Sequence, residues 1–254
     1  AALPFRRESV RSSSTPSSPT PKPISEVWSP DLTRLPALTR GRRLFRRFIQ
    51  HLCRGVVFVC TKATIHGLRN YPRSGPALVV INHLGDPDAV LVLAALPDFP
   101  EVIGKIELRN IPVLRLVTDM LGIIWVHRGQ PDRRAVSAAL EAFRQGRHVI
   151  IAPEGRESVS GALEAGTEGA AFLALRSGVP VVPITITGSE FRCIENKLKK
   201  LHRTPVTLRV GRPFVLPQPA RGKEALQEGT RLIMEALARQ LPPEYRGVYA
   251  YVED

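Results

Sequence analysis

Beyond Gly67, short β-branched and aliphatic runs alternate with stretches whose apolar positions recur every three or four residues. The runs at 77–81, 101–104, 123–126, 148–152, 181–187 and 206–210 predict strands. The stretches at 87–96, 111–121, 131–144, 166–177 and 223–240 predict helices. This alternation predicts an α/β sandwich, a central mixed sheet flanked by helices.

Two different patterns precede that domain. Residues 1–33 include the Ser/Pro-rich stretch Ser12 to Pro23, which has almost nothing to bury and predicts a disordered tail. Residues 34–66 predict a basic amphipathic helical segment. At about 100° per residue, Leu44, Phe45, Phe48, Ile49, Leu52, Cys53 and Val56 share one half of the helical wheel. Arg42, Arg43, Arg46, Arg47, Gln50, His51 and Arg54 share the other. One reading packs the apolar half on the core and leaves the basic half in water. The other lays the helix in a headgroup plane, with apolar side chains among acyl chains and arginines on lipid phosphates. The density of arginine, with no acid among those positions, favours the membrane.

Charge sharpens this picture. The net charge is +13, with eleven Lys and Arg up to Arg54 against only Glu8, Glu26 and Asp31. The expected partner is anionic. Nucleic acid is disfavoured by an aromatic content of 6% and by the lack of any recognisable binding motif. The expected partner is therefore an anionic membrane surface and no specific nucleic acid. No apolar run approaches the ~20 residues of a spanning helix, so the expected association is peripheral, at a cytoplasmic membrane face. The Arg/Ser-rich, acid-poor opening also fits an organelle transit segment. Cys53, Cys60 and Cys193 form no C-x-x-C pair and predict neither disulfides nor a zinc site. All three are expected to be packing residues.

The candidate chemistry lies directly after the first predicted strand of the domain. Asn82-His83-Leu84-Gly85-Asp86-Pro87-Asp88 reads as a strand end, a polar turn and a helix start, with Asp86 as N-cap and Pro87 at the first helical position. Catalytic groups in α/β folds often sit at such strand ends. His83 can take a proton near neutral pH, and Asp88 can hold its tautomer and stabilise the imidazolium. A His that caps a strand and Asp residues that cap a helix are the competing structural reading.

The spacing Asn82-His83-x4-Asp88 resembles the first motif of the glycerolipid acyltransferase family, which includes bacterial 1-acylglycerol-3-phosphate acyltransferases. Its companions follow in order. Val102-Ile103-Gly104-Lys105 with Glu107-Leu108 and Ile111-Pro112 resembles the segment after the first helix. Gly122 to Arg128 is similar to the second motif, a strand ending in arginine. Ala152-Pro153-Glu154-Gly155-Arg156-Glu157-Ser158 resembles the third, and Val181-Val182-Pro183-Ile184 the fourth. The similarity covers 67–213 and makes 67–254 an acyltransferase domain. In the commoner third motif Thr follows Gly and precedes Arg; here the cation comes one residue earlier.

The resemblance implies His83 and Asp88 as the catalytic pair, with Lys105, Arg128, Glu154, Gly155 and Arg156 binding substrate. The three cations would cage a phosphate; Arg can present a planar fork where Lys offers a point charge. Glu154 would orient Arg156 or the loop, touch a substrate hydroxyl, or act structurally. His127 is expected to be structural. The implied reaction carries an acyl group from acyl-CoA or acyl carrier protein, as co-substrate, to the hydroxyl of a lysophospholipid, foremost 1-acylglycerol 3-phosphate. It needs no cofactor and no metal. The rivals are a non-catalytic lipid-binding or membrane-remodelling protein on the same scaffold, and an acyltransferase with another acceptor.

Overall fold

The structure is a computed structural model that describes residues 24–253 except 27, 28, 130, 201 and 218–221. Seven strands form one mixed sheet: β1 (Thr61–His66), β2 (Leu78–Ile81), β3 (Glu101–Lys105), β4 (Ile124–Val126), β5 (Val149–Ile151), β6 (Val181–Thr187) and β7 (Thr204–Val210). Their order is β1-β7-β6-β2-β5-β3-β4. From β6 to β4 neighbouring strands run parallel, while β7 opposes β6 and β1 follows β7. The helices are α1 (Arg40–Cys60), α2 (Pro87–Ala95), α3 (Pro112–Leu121), α4 (Arg133–Arg144), α5 (Glu168–Ser177), α6 (Phe191–Lys199) and α7 (Lys223–Ala238). This is the expected α/β sandwich with a central mixed sheet.

Alternation along buried strands builds the layers. Leu78 and Val80 of β2 join a core with Ala139 and Phe143 of α4, Leu173 of α5 and Ile233 and Leu237 of α7. Val79 and Ile81 face the other way, toward Leu91 and Val92 of α2 and Val206 and Leu208 of β7. A parallel strand buried on both faces must be apolar at every position, and all four residues of β2 are buried. Each of β2, β3, β4 and β5 leads into a helix and then to a parallel strand. Their carboxyl ends therefore lie along one edge of the sandwich.

Three expectations change. Residues 24–26 and 29–33 of the predicted tail are docked, not free. Ser25 N–H donates to Arg128 O at 3.0 Å, Ser29 N–H donates to His127 Nε2 at 3.0 Å, and Pro30–Leu32 forms a 3-10 turn. The rest of that tail, 1–23, 27 and 28, lies outside the described residues. The helical segment 34–66 ends at Cys60. Thr61, extended at φ −132°, caps α1 through Oγ on Val57 O and begins β1 without a linker. The pairing that makes β1 a strand comes from β7, far along the chain. Finally, three of the six arginines of α1 bind the body of the protein. Arg42 donates to Met120 O, Arg46 to Leu121 O and Gly122 O, and Arg54 to Ala94 O and Leu96 O. These carbonyls close the C-terminal turns of α3 and α2, where unsatisfied acceptors and the helix dipole both favour cations. Arg46 also forms a two-pronged ion pair with Glu101 at 2.8 and 2.7 Å, and both side chains are buried.

Cys53 is buried and Cys60 half-buried, as free thiols; the Cys193 side chain lies outside the described residues.

Candidate active site

β2 ends at Ile81, and the turn that follows is fixed on both sides. Asn82 pairs its amide with the β6 backbone: Nδ2 donates to Ile186 O at 2.7 Å, and Ile186 N–H donates to Oδ1 at 2.8 Å. His83 N–H donates to Glu154 Oε1 at 3.3 Å, and Ser158 N–H donates to His83 O at 2.6 Å. The backbone of His83 is thus held by the loop after β5, independently of its side chain.

The imidazole Nδ1 lies 2.9 Å from Asp88 Oδ2. Asp88 is fully buried at 0% exposure while His83 is 24% exposed, so the pair offers one open edge. Asp86 occupies the N-cap position but makes no side-chain cap bond. The carboxylate that gathers the turn is Asp88, whose Oδ2 also accepts Leu84 N–H at 2.6 Å and Gly85 N–H at 3.1 Å. Its other oxygen, Oδ1, accepts the Ser189 hydroxyl. Asp88 is held by four donors and is therefore stable as a buried anion. With Asp88 ionised, Nδ1 carries the proton and Nε2 is the acceptor. Burial pushes the His83 pKa down, but the Asp88 hydrogen bond and charge, helped by Glu157 and Asp86, outweigh it. The net shift is upward from 6.5.

Sequence reasoning missed Ser189. It follows β6 through Gly188, which holds φ at 78°. A Cβ there would lie 2.5 Å from Pro205 O, so glycine is what lets the turn pass β7. A Gly-Ser directly after the proline-bearing strand was the available signal. A serine separated by about a hundred residues from the motif it serves has no local signature.

Glu154 is buried and bridges two loops. Its Oε1 accepts His83 N–H, and its Oε2 accepts Glu164 N–H at 2.7 Å. Burial raises its carboxyl pKa to about 7, against the opposing pull of those two N–H donors. Between the reference value of 4.5 and about 7, the folded chain then binds this proton more tightly than the unfolded chain does. Stability must fall as pH rises through that window. Glu154→Gln should flatten the fall, as thermal melts of the two proteins across the window would read. The expected tight turn is present at Gly155, with φ at 74°.

The three anticipated cations each face a glutamate. Lys105 Nζ lies 3.3 Å from Glu157, and Arg156 pairs with Glu164, its Nε at 2.8 Å. Glu157 also acts on the His83 charge, and Glu164 N–H binds Glu154, so Lys105 and Arg156 join the network around the His83 turn. Arg128 stands on the β4 side, 3.8 Å from Glu107. Among the described residues, Arg128 Nε and both Glu107 carboxylate oxygens are buried without a hydrogen-bond partner. His127 is fully buried between Asp132 Oδ2, at 2.8 Å from Nδ1, and Ser29 N–H on Nε2. It is structural, as expected. An apolar groove of about 230 Å³ between α1, β1 and α2 is lined by Val57, Phe58, Ile65, Leu91 and Leu208, and includes neither His83 nor these cations.

Comparison with known proteins agrees with this geometry. The family model described as Acyltransferase matches residues 62–187. That match begins inside β1 and ends with β6. A 1-acyl-sn-glycerol-3-phosphate acyltransferase, BAT2, chloroplastic, of Brassica napus is 33% identical over 154 residues, 59% of this chain and 44% of that protein. One from Borreliella burgdorferi is 26% identical, covering 53% of this chain and 55% of its own length. The chain thus spans about half the length of these curated relatives. The crystal structure of the 1-acyl-sn-glycerophosphate (LPA) acyltransferase PlsC from Thermotoga maritima aligns with TM-score 0.58 and 25% identity, over 77% of this chain and 80% of that one. With the fold, the ordered motifs and the matched segment in agreement, residues 62–187 of this chain are an acyltransferase-family domain.

Proposed function

We propose that this protein transfers a fatty acyl group from a thioester, acyl-CoA or acyl carrier protein, to the free hydroxyl of a lysophospholipid, foremost 1-acylglycerol 3-phosphate. The observation that carries the reading is a half-open imidazole whose Nδ1 is tied to a buried aspartate held by four donors. Its second support is the set of relatives named for that reaction.

In the proposed step the acceptor O–H lies against His83 Nε2. As the oxygen attacks the thioester carbonyl, Nε2 takes its proton and Asp88 stabilises the imidazolium. The carbonyl oxygen becomes an oxyanion. Its collapse breaks the carbon–sulfur bond, and the departing thiolate takes the proton from His83, leaving ester, thiol and neutral imidazole. Arg128 is the cation best placed for the acceptor's phosphate. Its guanidinium is only loosely matched to Glu107, and a bidentate phosphate would satisfy its buried Nε. Lys105, Arg156 and the Gly155 turn border the same sheet end; Glu154 holds the His83 backbone. No step calls for a metal or cofactor. The non-catalytic alternative differs in a single respect, that no thiol is released.

The test is thiol release from acyl-CoA and from acyl carrier protein thioesters against a panel of lysophospholipids and glycerol 3-phosphate. Fastest turnover with 1-acylglycerol 3-phosphate is expected, and a flat panel sinks the acceptor assignment. Because the active base is neutral His83 and its pKa is raised, the acidic limb of the rate profile should lie above pH 6.5. Ser189→Ala strips a donor from Asp88 Oδ1, concentrates negative charge toward His83, and should move that limb further up. A purely structural serine would lower the plateau and leave the limb in place.

Membrane association belongs to the same proposal. No helix among the described residues is long and apolar enough to cross a membrane. The outward row of Leu44, Phe48 and Leu52 on α1, beside exposed Arg43 and Arg47, fits an interfacial helix at an anionic surface.

A further inference from the structure

The exposed large apolar side chains of α1 have a counterpart on α3. On α1, Leu44, Phe48 and Leu52 recur every fourth residue, with Leu44 65% and Phe48 62% exposed. On α3, Val113, Leu116 and Met120 recur every third or fourth residue, with Val113 73% and Leu116 63% exposed, and Ile111 precedes them. The two rows flank one seam. Phe45 and Ile49 of α1 and Val117 of α3 pack into a single cluster around Leu121, Ile123 and Trp125. Each of these three residues neighbours the exposed row on its own helix. The result is one apolar face carried by two helices, larger than isolated surface apolar residues produce.

Charge selects the occupant. Arg40, Arg43 and Arg47 on α1 and Arg115 on α3 are exposed beside the apolar rows. α1 contains no acidic residue, and Asp119 of α3 is paired with Arg109. A second copy would bring the same cations against these, whereas an anionic bilayer supplies both acyl chains for the rows and phosphates for the arginines.

We propose that α3 is a second membrane-docking element, and that the α1–α3 face as a whole lies in the headgroup region of an anionic bilayer. The topology brings the start of α3 to the sheet end that carries His83. α3 begins after the 3-10 turn Ile106–Asn110, which leaves the carboxyl end of β3, the sheet end that carries His83. The arginines of α1 reach instead the last turn of α3, at the opposite end. The first turns of α1 lie toward the far end of the sandwich, and only its last turn approaches the carboxyl end of β6, where Thr61 pairs with Thr204. Docking through Ile111, Val113 and Leu116 brings the bilayer up to the end where a lipid hydroxyl would meet His83. Only this last clause rests on the proposed acyl transfer.

The experiment uses the full chain and vesicles of equimolar phosphatidylcholine and phosphatidylglycerol. Val113→Glu/Leu116→Glu should lower the partition coefficient in flotation roughly tenfold or more, because two large side chains lose their burial among acyl chains. Both positions are exposed, so folding is not at stake. Val248→Glu, at an exposed apolar position on the opposite layer of the sandwich, should float as the unmodified protein does. Turnover of vesicle-borne 1-acylglycerol 3-phosphate should fall with binding, while turnover of a short-chain acceptor dispersed in water stays unchanged. Unaltered flotation of the double variant overturns the proposal. So does a soluble dimer of the unmodified chain that the double substitution splits, since the face would then be covered by a second copy. If no acceptor is acylated but flotation still depends on Val113 and Leu116, the enzymatic reading fails and the docking stands.

Discussion

Replacing His83 with alanine is expected to lower acyl transfer by about 10²–10⁴ while leaving vesicle binding intact. The factor is the usual share of a positioned general base; the remaining acceleration from positioning two substrates would persist. The variant should fold. The turn is held by His83 N–H on Glu154 and by Ser158 N–H on His83 O, neither of which uses the imidazole. His83 is also partly exposed, so its loss opens no sealed cavity. Asp88→Asn should fail by a different route. An amide oxygen can stay on Leu84 and Gly85 while the nitrogen donates to the Ser189 hydroxyl, so the turn survives, but the negative charge that stabilises the imidazolium is gone. Paired measurements of thiol release and flotation separate the readings. Loss of turnover with retained binding marks an enzyme, and full turnover in His83→Ala rules out His83 as the base. A chain that binds vesicles but releases no thiol with any acceptor is the non-catalytic scaffold.

How much of this was legible in the sequence depended on distance along the chain. The His83–Asp88 turn was readable because His83, Asp88 and the helix start lie within seven residues, so spacing alone brought them together. Strands β2 and β6 were readable because burial on both faces demands unbroken apolar runs. β1 was not, because Thr61–His66 has no breaker between it and α1 and owes its extended form to β7. Helix α6 was missed because its apolar positions, Phe191, Ile194 and Leu198, fall within only nine residues of a highly charged stretch. Ser189 and the glutamate partners of Lys105, Arg128 and Arg156 come from other loops, and no spacing rule reaches them. The arginines of α1 were ambiguous for a related reason. A cation on a helix reads the same whether its target is a lipid phosphate or the C-terminal carbonyls of a neighbouring helix. The structure assigns Arg42, Arg46 and Arg54 to carbonyls, and leaves Arg40, Arg43 and Arg47 exposed.

That inward set of arginines makes Glu101→Ala the substitution with the largest expected effect on stability. Glu101 opens β3 and is 1% exposed; it binds Arg46 through both oxygens and Arg147 at 3.2 Å through one. Removing it leaves the Arg46 guanidinium buried with no counter-charge, held by the carbonyls of Leu121 and Gly122 and the Phe99 ring. An uncompensated buried charge of this kind costs about 3–5 kcal/mol. For a chain of this size that is a fall in Tm of roughly 10 °C or more. Arg46→Met alone should cost a comparable amount, since it leaves buried Glu101 with Arg147 as its remaining ion-pair partner and removes one of the cations that cap α3. The double variant Arg46→Met/Glu101→Leu should recover part of the loss, because two apolar side chains need no partner. The shortfall from full recovery would measure what the α3 cap and the Arg147 contact contribute. Thermal melts of the unmodified protein, Arg46→Met, Glu101→Leu and the double variant complete the cycle. Strict additivity would mean that the pair does not act as a unit. Coupling of the expected size would make Arg46 the tether through which the docking helix and the first strand of the β3–β4 edge keep their relative positions.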